Sequence, residues 1–192
     1  MKGINIFLAE GFEDIEALAT NDVLRRAGLK VNLVAISDEP FVTSSHGVTI
    51  GVEDFLEDME IDHKGTGPKD VMIFPGGMPG SKNLAGCKTL VNAMKEHYAA
   101  GGTVAAICAA PGLVLSQLKD ELSGCEFTCF DGFEDRLESC GAVFNPKAAI
   151  RSGRVITGRS AGHAISFALE ILQAVKPEKL DDVRQALFLK TL

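Results

Sequence analysis

The sequence predicts an α/β fold: a mostly parallel sheet with helices on both faces. Short apolar runs recur at Ile4–Leu8, Val71–Phe74 and Thr103–Ile107 with no polar alternation, as in strands buried on two sides. Helical periodicity fills the intervals between them, which is the alternation of a layered α/β domain. No internal repeat, low-complexity stretch or linker interrupts the 192 residues, so one domain over residues 1–192 is expected.

Each element follows from local chemistry. Ile4–Leu8 reads as the first strand. Residues 13–26 read as a helix with Ile15, Ala19, Val23 and Ala27 four apart and Leu18 beside them, stopped by Gly28. Residues 31–36 form the next strand. Residues 42–52, rich in Thr, Val and Ser around Gly47, read as a hairpin, and the polar segment 57–70, with Gly65, Gly67 and Pro68, as a loop. Val71–Phe74 is a buried strand that runs into Pro75-Gly76-Gly77. A helix over 87–100 closes at Gly101-Gly102 and leads into the strand Thr103–Ile107. Beyond Cys108, Pro111 suits the first turn of a helix that continues through the apolar 113–118. Residues 148–151 and 154–157 flank Ser152-Gly153, a hairpin signal. A strongly apolar helix over 161–175 fits either a core or an interface position, and Pro177 opens a last, amphipathic helix.

Nineteen basic against twenty-six acidic residues leave a net charge of −7, which argues against nucleic acid or an anionic membrane as the main partner. No run approaches the roughly 20 apolar residues of a membrane span, and the N-terminus lacks a signal-peptide pattern. Five cysteines, at 87, 108, 125, 129 and 140, are an odd number with no C-x-x-C pair. That usage fits a cytoplasmic protein rather than a disulfide scaffold, and Cys125-x-x-x-Cys129 alone is too little for a zinc site. No metal or organic cofactor is expected.

In open α/β sheets ligands bind beyond the carboxyl ends of the strands, and three strands here end in unusual residues. Cys108 directly follows Thr103–Ile107 and precedes a helix start, an arrangement that lifts a nucleophile to the rim of a sheet. Helix N-terminal amides lower a thiol pKa from about 8.5 to roughly 3.5–7.5. Taken alone, the segment also fits a small buried hydrophobe. The first strand ends at Glu10, Glu13, Asp14 and Glu16, acids that favour a helix N-terminus by about 0.3–1 kcal/mol. Glu16 differs because it adjoins the apolar stripe. A carboxyl held beside a thiolate is expected to have a raised pKa and, protonated, to donate a hydrogen bond to the sulfur. The third end, Pro75-Gly76-Gly77-Met78-Pro79-Gly80-Ser81, is neither G-x-G-x-x-G nor a P-loop. It fits an ordinary strand-to-helix turn, or backbone N–H groups offered to an oxyanion.

Together these segments resemble the ThiJ/PfpI superfamily, in the branch of the parkinsonism-associated deglycase. The matching residues are Ala9-x-Gly11-x-Glu13-x-x-Glu16, Val23-x-Arg25-Arg26-Ala27-Gly28, Phe74-Pro75-Gly76-Gly77, Ala105-Ala106-Ile107-Cys108-Ala109-Ala110-Pro111 and Thr157-Gly158-Arg159. The resemblance implies a flavodoxin-like three-layer sandwich, a homodimer, and a nucleophilic, oxidisable cysteine at a strained elbow, Cys108. It implies that Glu16 bonds to that cysteine, that Gly76, Gly77 and the backbone of Ala109 bind an oxyanion, and that Arg159 lies near the site. The implied chemistry is cofactor-free conversion of methylglyoxal or glyoxal, or of their adducts, to hydroxy acids. In that scheme Cys108 adds to the aldehyde, Glu16 moves a proton between adjacent carbons, and water releases the acid.

One position departs from the family pattern. Where some members carry a histidine, this chain reads Thr128-Cys129-Phe130, so Glu16 must carry the acid–base work. Cys129 is then either a resolving thiol for an oxidised Cys108 or a filler of the site wall. His46, in the hairpin, is a candidate to approach a partner's pocket; a surface or capping role is the alternative. Ala109 stands where the superfamily's peptidases have histidine, and none of the four histidines begins a His-x-Glu pair, which excludes a peptidase and a glutamine amidotransferase. The competing expectation is a redox-sensing stress protein or holdase chaperone that uses the same cysteine without turnover.

Overall fold

Unbroken apolar strands need cover on both faces, and they receive it in the computed structural model, which describes residues 1–52, 54–59 and 61–189. In chain order the strands are β1 (Ile4–Leu8), β2 (Val31–Ala35), β3 (Phe41–Thr43), β4 (Thr49–Gly51), β5 (Asp54–Phe55), β6 (Val71–Phe74), β7 (Thr103–Ile107), β8 (Glu126–Phe127), β9 (Val143–Phe144), β10 (Ala149–Ser152) and β11 (Val155–Gly158). The helices are α1 (Asp14–Arg26), α2 (Gly80–Gly86), α3 (Lys88–Ala99), α4 (Ala110–Leu113), α5 (Asp135–Glu138), α6 (Ala164–Val175) and α7 (Leu180–Ala186). Among the described residues the central sheet has the order β10-β11-β7-β6-β1-β2-β5. Every pairing in it is parallel except β10 with β11.

The period of two along β7 divides its side chains between two cores. Val104 and Ala106 face a cluster that includes Leu84, Met94, Leu115 and Phe127, whereas Ala105 and Ile107 face Ala17, Leu24, Phe167 and Ile171. Helices α2 to α5 therefore cover one face and α1, α6 and α7 the other, as a flavodoxin-like sandwich does. The expected hairpins at 42–52 and 148–157 form β3–β4 and β10–β11.

Several details differ from the sequence expectation. Helix α1 buries Glu16, Ala17, Thr20, Val23 and Leu24, while Ile15 is 56% exposed. The buried face is thus rotated from the Ile15–Ala19 stripe, because Glu16 and Thr20 find polar partners inside. The helix after Cys108 lasts only from Ala110 to Leu113, then gives way to a 3₁₀ segment at Leu115–Leu122 in which Lys119 has φ 54°. The 57–70 loop begins in a 3₁₀ turn, Leu56–Asp58, and Glu60 lies outside the described residues.

Candidate active site at the carboxyl end of the sheet

The turn after β7 places Cys108 at φ 66°, a left-handed conformation that costs a non-glycine residue about 1 kcal/mol or more. Its backbone is held on both sides: Cys108 N–H donates to the Gly158 carbonyl (3.0 Å), and Phe130 N–H donates to the Cys108 carbonyl (2.9 Å). The strand pairing and the following loop thus fix a geometry that the cysteine alone would avoid. The side chain is partly exposed at the rim of the sheet.

Glu16 reaches this sulfur from the first turn of α1. The residue is 1% exposed, and its Oε2 accepts the Gly76 N–H at 2.7 Å. The Glu13 carboxylate caps the helix by accepting the Glu16 N–H, also at 2.7 Å, which sets the angle at which Glu16 points inward. Gly76 has no room for a side chain: a Cβ there would lie 2.4 Å from Glu16 Oε2, 2.6 Å from Cys108 Cβ and 3.1 Å from Cys108 Sγ. Gly77 adopts φ +90°, and a Cβ on it would lie 2.5 Å from both Glu13 N and Gly11 O.

The backbone N–H groups of Ala109 and Gly77 lie where they favour the charged form of the Cys108 sulfur. Gly76 behaves differently from its expected role, since its N–H is already committed to Glu16. The donors that face the sulfur are therefore Gly77 and Ala109, and Gly76 serves the carboxyl.

Burial pushes the Glu16 carboxyl up to about 7, the Gly76 hydrogen bond opposes this, and the charge of Glu13 adds to it. Burial likewise pushes the Cys108 thiol up, to about 12, and the ionised Glu16 beside it raises it further, against the lowering effect of Ala109 and Gly77. The expectation of a thiol acidified by helix amides is corrected here. Helix α4 is a single turn, so its dipole is small beside desolvation and the neighbouring charge. A proton transferred to Glu16 removes that negative charge and turns the carboxyl into a donor toward sulfur, so the two groups titrate as a pair.

The supporting residues fall into separate places. Cys129 is fully buried in the core cluster that contains Phe127, whereas Cys108 packs against the opposite cluster, and both thiols are free. The two thiols therefore belong to opposite core layers, with Cys129 filling core space beside Phe127. Arg159 pairs with Asp131 and lies 5.7 Å from the Phe144 ring, on the side of Cys129. His46 Nδ1 donates to Asp14 Oδ2 of its own chain at 2.6 Å, with Glu13 Oε1 at 4.0 Å. Among the described residues, Glu13, Asp14 and His46 bring three ligand-type atoms within 4.8 Å of one another. They form a histidine–carboxylate cluster at the start of α1, and among the described residues no cysteine joins such a group. A separate cleft of about 590 Å³ is lined by residues such as Arg25, Lys30, Asn32 and Asp54, with no cysteine or histidine among its described lining residues. Among the described residues no helix is long and apolar enough to cross a membrane.

The profile of the DJ-1/PfpI family matches residues 2–174. The chain belongs to this family. It is 33% identical over 182 residues to the glutathione-independent glyoxalase DJR-1.2 of Caenorhabditis elegans, spanning 94% of this chain and 92% of that protein. Protein DJ-1 homolog A of Arabidopsis thaliana is 32% identical over 191 residues, 98% of this chain; the chain spans about half, 47%, of that relative's length. Oxidized Toxoplasma gondii DJ-1 superposes with a TM-score of 0.86 at 26% identity, covering 98% of each chain. The DJ-1/PfpI sandwich thus holds the Cys108–Glu16 pair where its strands end.

Proposed function

We propose that this chain converts reactive dicarbonyls such as methylglyoxal and glyoxal, or adducts made from them, to hydroxy acids by covalent catalysis at Cys108. The observation that carries the reading is the convergence on one sulfur of a buried carboxyl, Glu16, and two backbone N–H groups, from Ala109 and Gly77. The glyoxalase named among its relatives adds weight.

In this scheme the sulfur bonds to the aldehyde carbon of methylglyoxal while the thiol proton passes to Glu16. The new alkoxide is stabilised by the Gly77 and Ala109 N–H groups and takes a proton. Glu16, ionised again by giving up that proton, removes the hydrogen from the same carbon and returns it to the neighbouring carbonyl carbon, while the hydroxyl proton passes to the neighbouring oxygen. The first carbon is oxidised to a thioester and the second reduced to an alcohol, so no external oxidant is consumed. Water then cleaves the C–S bond and releases lactate and the thiol. A homodimer belongs to the same proposal, supported by the exposed apolar side chains of Ile15 and Val48.

The redox-sensor reading uses the same strained cysteine but draws less from the geometry, because Cys129 is enclosed in the opposite core layer. Lactate formation from methylglyoxal under reducing conditions tests the proposal. Wild type should turn over and Cys108→Ser should fall to the uncatalysed level; no turnover in wild type, or equal turnover in both, rejects it.

A further inference from the structure

The tip of the β3–β4 hairpin is clamped onto the loop that precedes α1. Gly11 N–H donates to the Thr43 carbonyl and Ser45 N–H to the Phe12 carbonyl, both at 2.8 Å, and Thr43 N–H donates to Glu10 Oε1 at 2.9 Å. The Ser44 hydroxyl donates to Asp14 Oδ1 and accepts the His46 N–H at 3.2 Å. These contacts hold an exposed imidazole in one place, with Nδ1 2.6 Å from Asp14 Oδ2 and 4.0 Å from Glu13 Oε1. Glu13 faces both ways: its other oxygen, Oε2, caps the N–H of Glu16. A short electrostatic chain therefore runs from the surface histidine through Glu13 to the buried carboxyl at Cys108.

We propose that His46 is a positioning residue for this site: with Glu13 it forms a titratable charge pair that sets how firmly Glu16 holds its proton. The inference rests on the reading of Glu16 as the proton-handling carboxyl, and not on the identity of the substrate. Among the described residues, the charged or titratable groups facing Glu16 are Glu13 and Cys108; those facing His46 are Asp14 and Glu13. Glu13, when unopposed, drives Glu16 toward its protonated form. An imidazolium at position 46 offsets Glu13 and Asp14 and loosens that proton; a neutral imidazole leaves both carboxylates unopposed and tightens it. The Asp14 hydrogen bond raises the pKa of His46 above the ordinary histidine value, which favours the imidazolium that supplies the offset.

The test reads Glu16 directly, as the midpoint of its side-chain carboxyl ¹³C shift across the neutral range, in a Cys108→Ser background where the carboxyl titrates without its thiol partner. Glu13→Gln keeps an oxygen to cap the Glu16 N–H but removes the charge, and should lower the midpoint by about half a pH unit. His46→Gln removes the counter-charge from an exposed position and should raise it by a similar amount. His46→Arg, permanently charged, should leave it at or below the parent value. A structural role for the hairpin would not move one midpoint in opposite directions. Shifts of the same sign, or a midpoint that either glutamine variant leaves unmoved, overturn the proposal. Lactate is not measured, so loss of the glyoxalase reading and loss of this one are separate results.

Discussion

Strand β7 has a buried ionisable group at each end, and the two ends differ in what surrounds it. At the carboxyl end burial raises Glu16 to about 7; at the amino end burial lowers His97 to about 4. Each side chain leaves one buried polar atom, Glu16 Oε1 or His97 Nδ1, without a hydrogen-bond partner among the described residues. Each also depends on a glycine, since a Cβ on Gly76 would meet Glu16 Oε2 at 2.4 Å and one on Gly102 would meet His97 Nε2 at 2.2 Å. The amino end closes on itself, because His97 Nε2 reaches the carbonyls of Asp70 and Thr103, both at 3.1 Å. The carboxyl end adds a left-handed cysteine and two N–H groups aimed at its sulfur. A perturbed ionisation marks burial; a nucleophile with donors around it marks chemistry.

The largest effects separate the ends through their glycines. Gly76→Ala forces Glu16 and Cys108 apart, and should cut turnover about a hundred-fold or more. Gly102→Ala should cost about 2–3 kcal/mol of stability by overpacking against His97, with turnover per folded molecule unchanged. Kinetics together with chemical denaturation of both variants checks this; equal losses of turnover in the two would erase the distinction.

The next effect is the pH dependence of stability, which has opposite signs at the two ends. The folded pKa of Glu16 lies above its ordinary 4.5, so its contribution is fully present below 4.5 and is lost as pH rises through about 7. Glu16→Gln should therefore stabilise the protein above neutrality, by about 2–3 kcal/mol. The folded pKa of His97 lies below its ordinary 6.5, so its contribution is present above 6.5 and is lost as pH falls toward about 4. His97→Gln should flatten that acid limb, on the order of 2–3 kcal/mol. Urea unfolding at a series of pH values reads both limbs; a single limb unaffected by its own substitution would contradict the assignment.

The carboxyl end was legible in the sequence because its signals are local. β1 and β7 have the bounds their apolar runs predict, and Cys108 follows β7 directly. Glu16 adjoins the apolar stripe in sequence, but Ile15 of that stripe is exposed, and the carboxyl is buried because Gly76 and Cys108 receive it. The fate of the Gly76 N–H and the raised thiol are tertiary effects that spacing does not encode. Gly102 read as a helix terminator, and only the fold shows that His97 fills its missing side chain. Helix α2 (GSKNLAG) lacks an apolar period, and β5 is two residues at a sheet edge, so neither left a pattern to read.

The most direct measurement compares lactate formation from methylglyoxal by wild type, Glu16→Gln and His97→Gln at neutral pH, corrected for the folded fraction. Glu16→Gln should lose about a hundred-fold or more while being the more stable protein, and His97→Gln should keep the wild-type rate while being the less stable one. A Glu16→Gln protein that turns over like wild type would contradict the account.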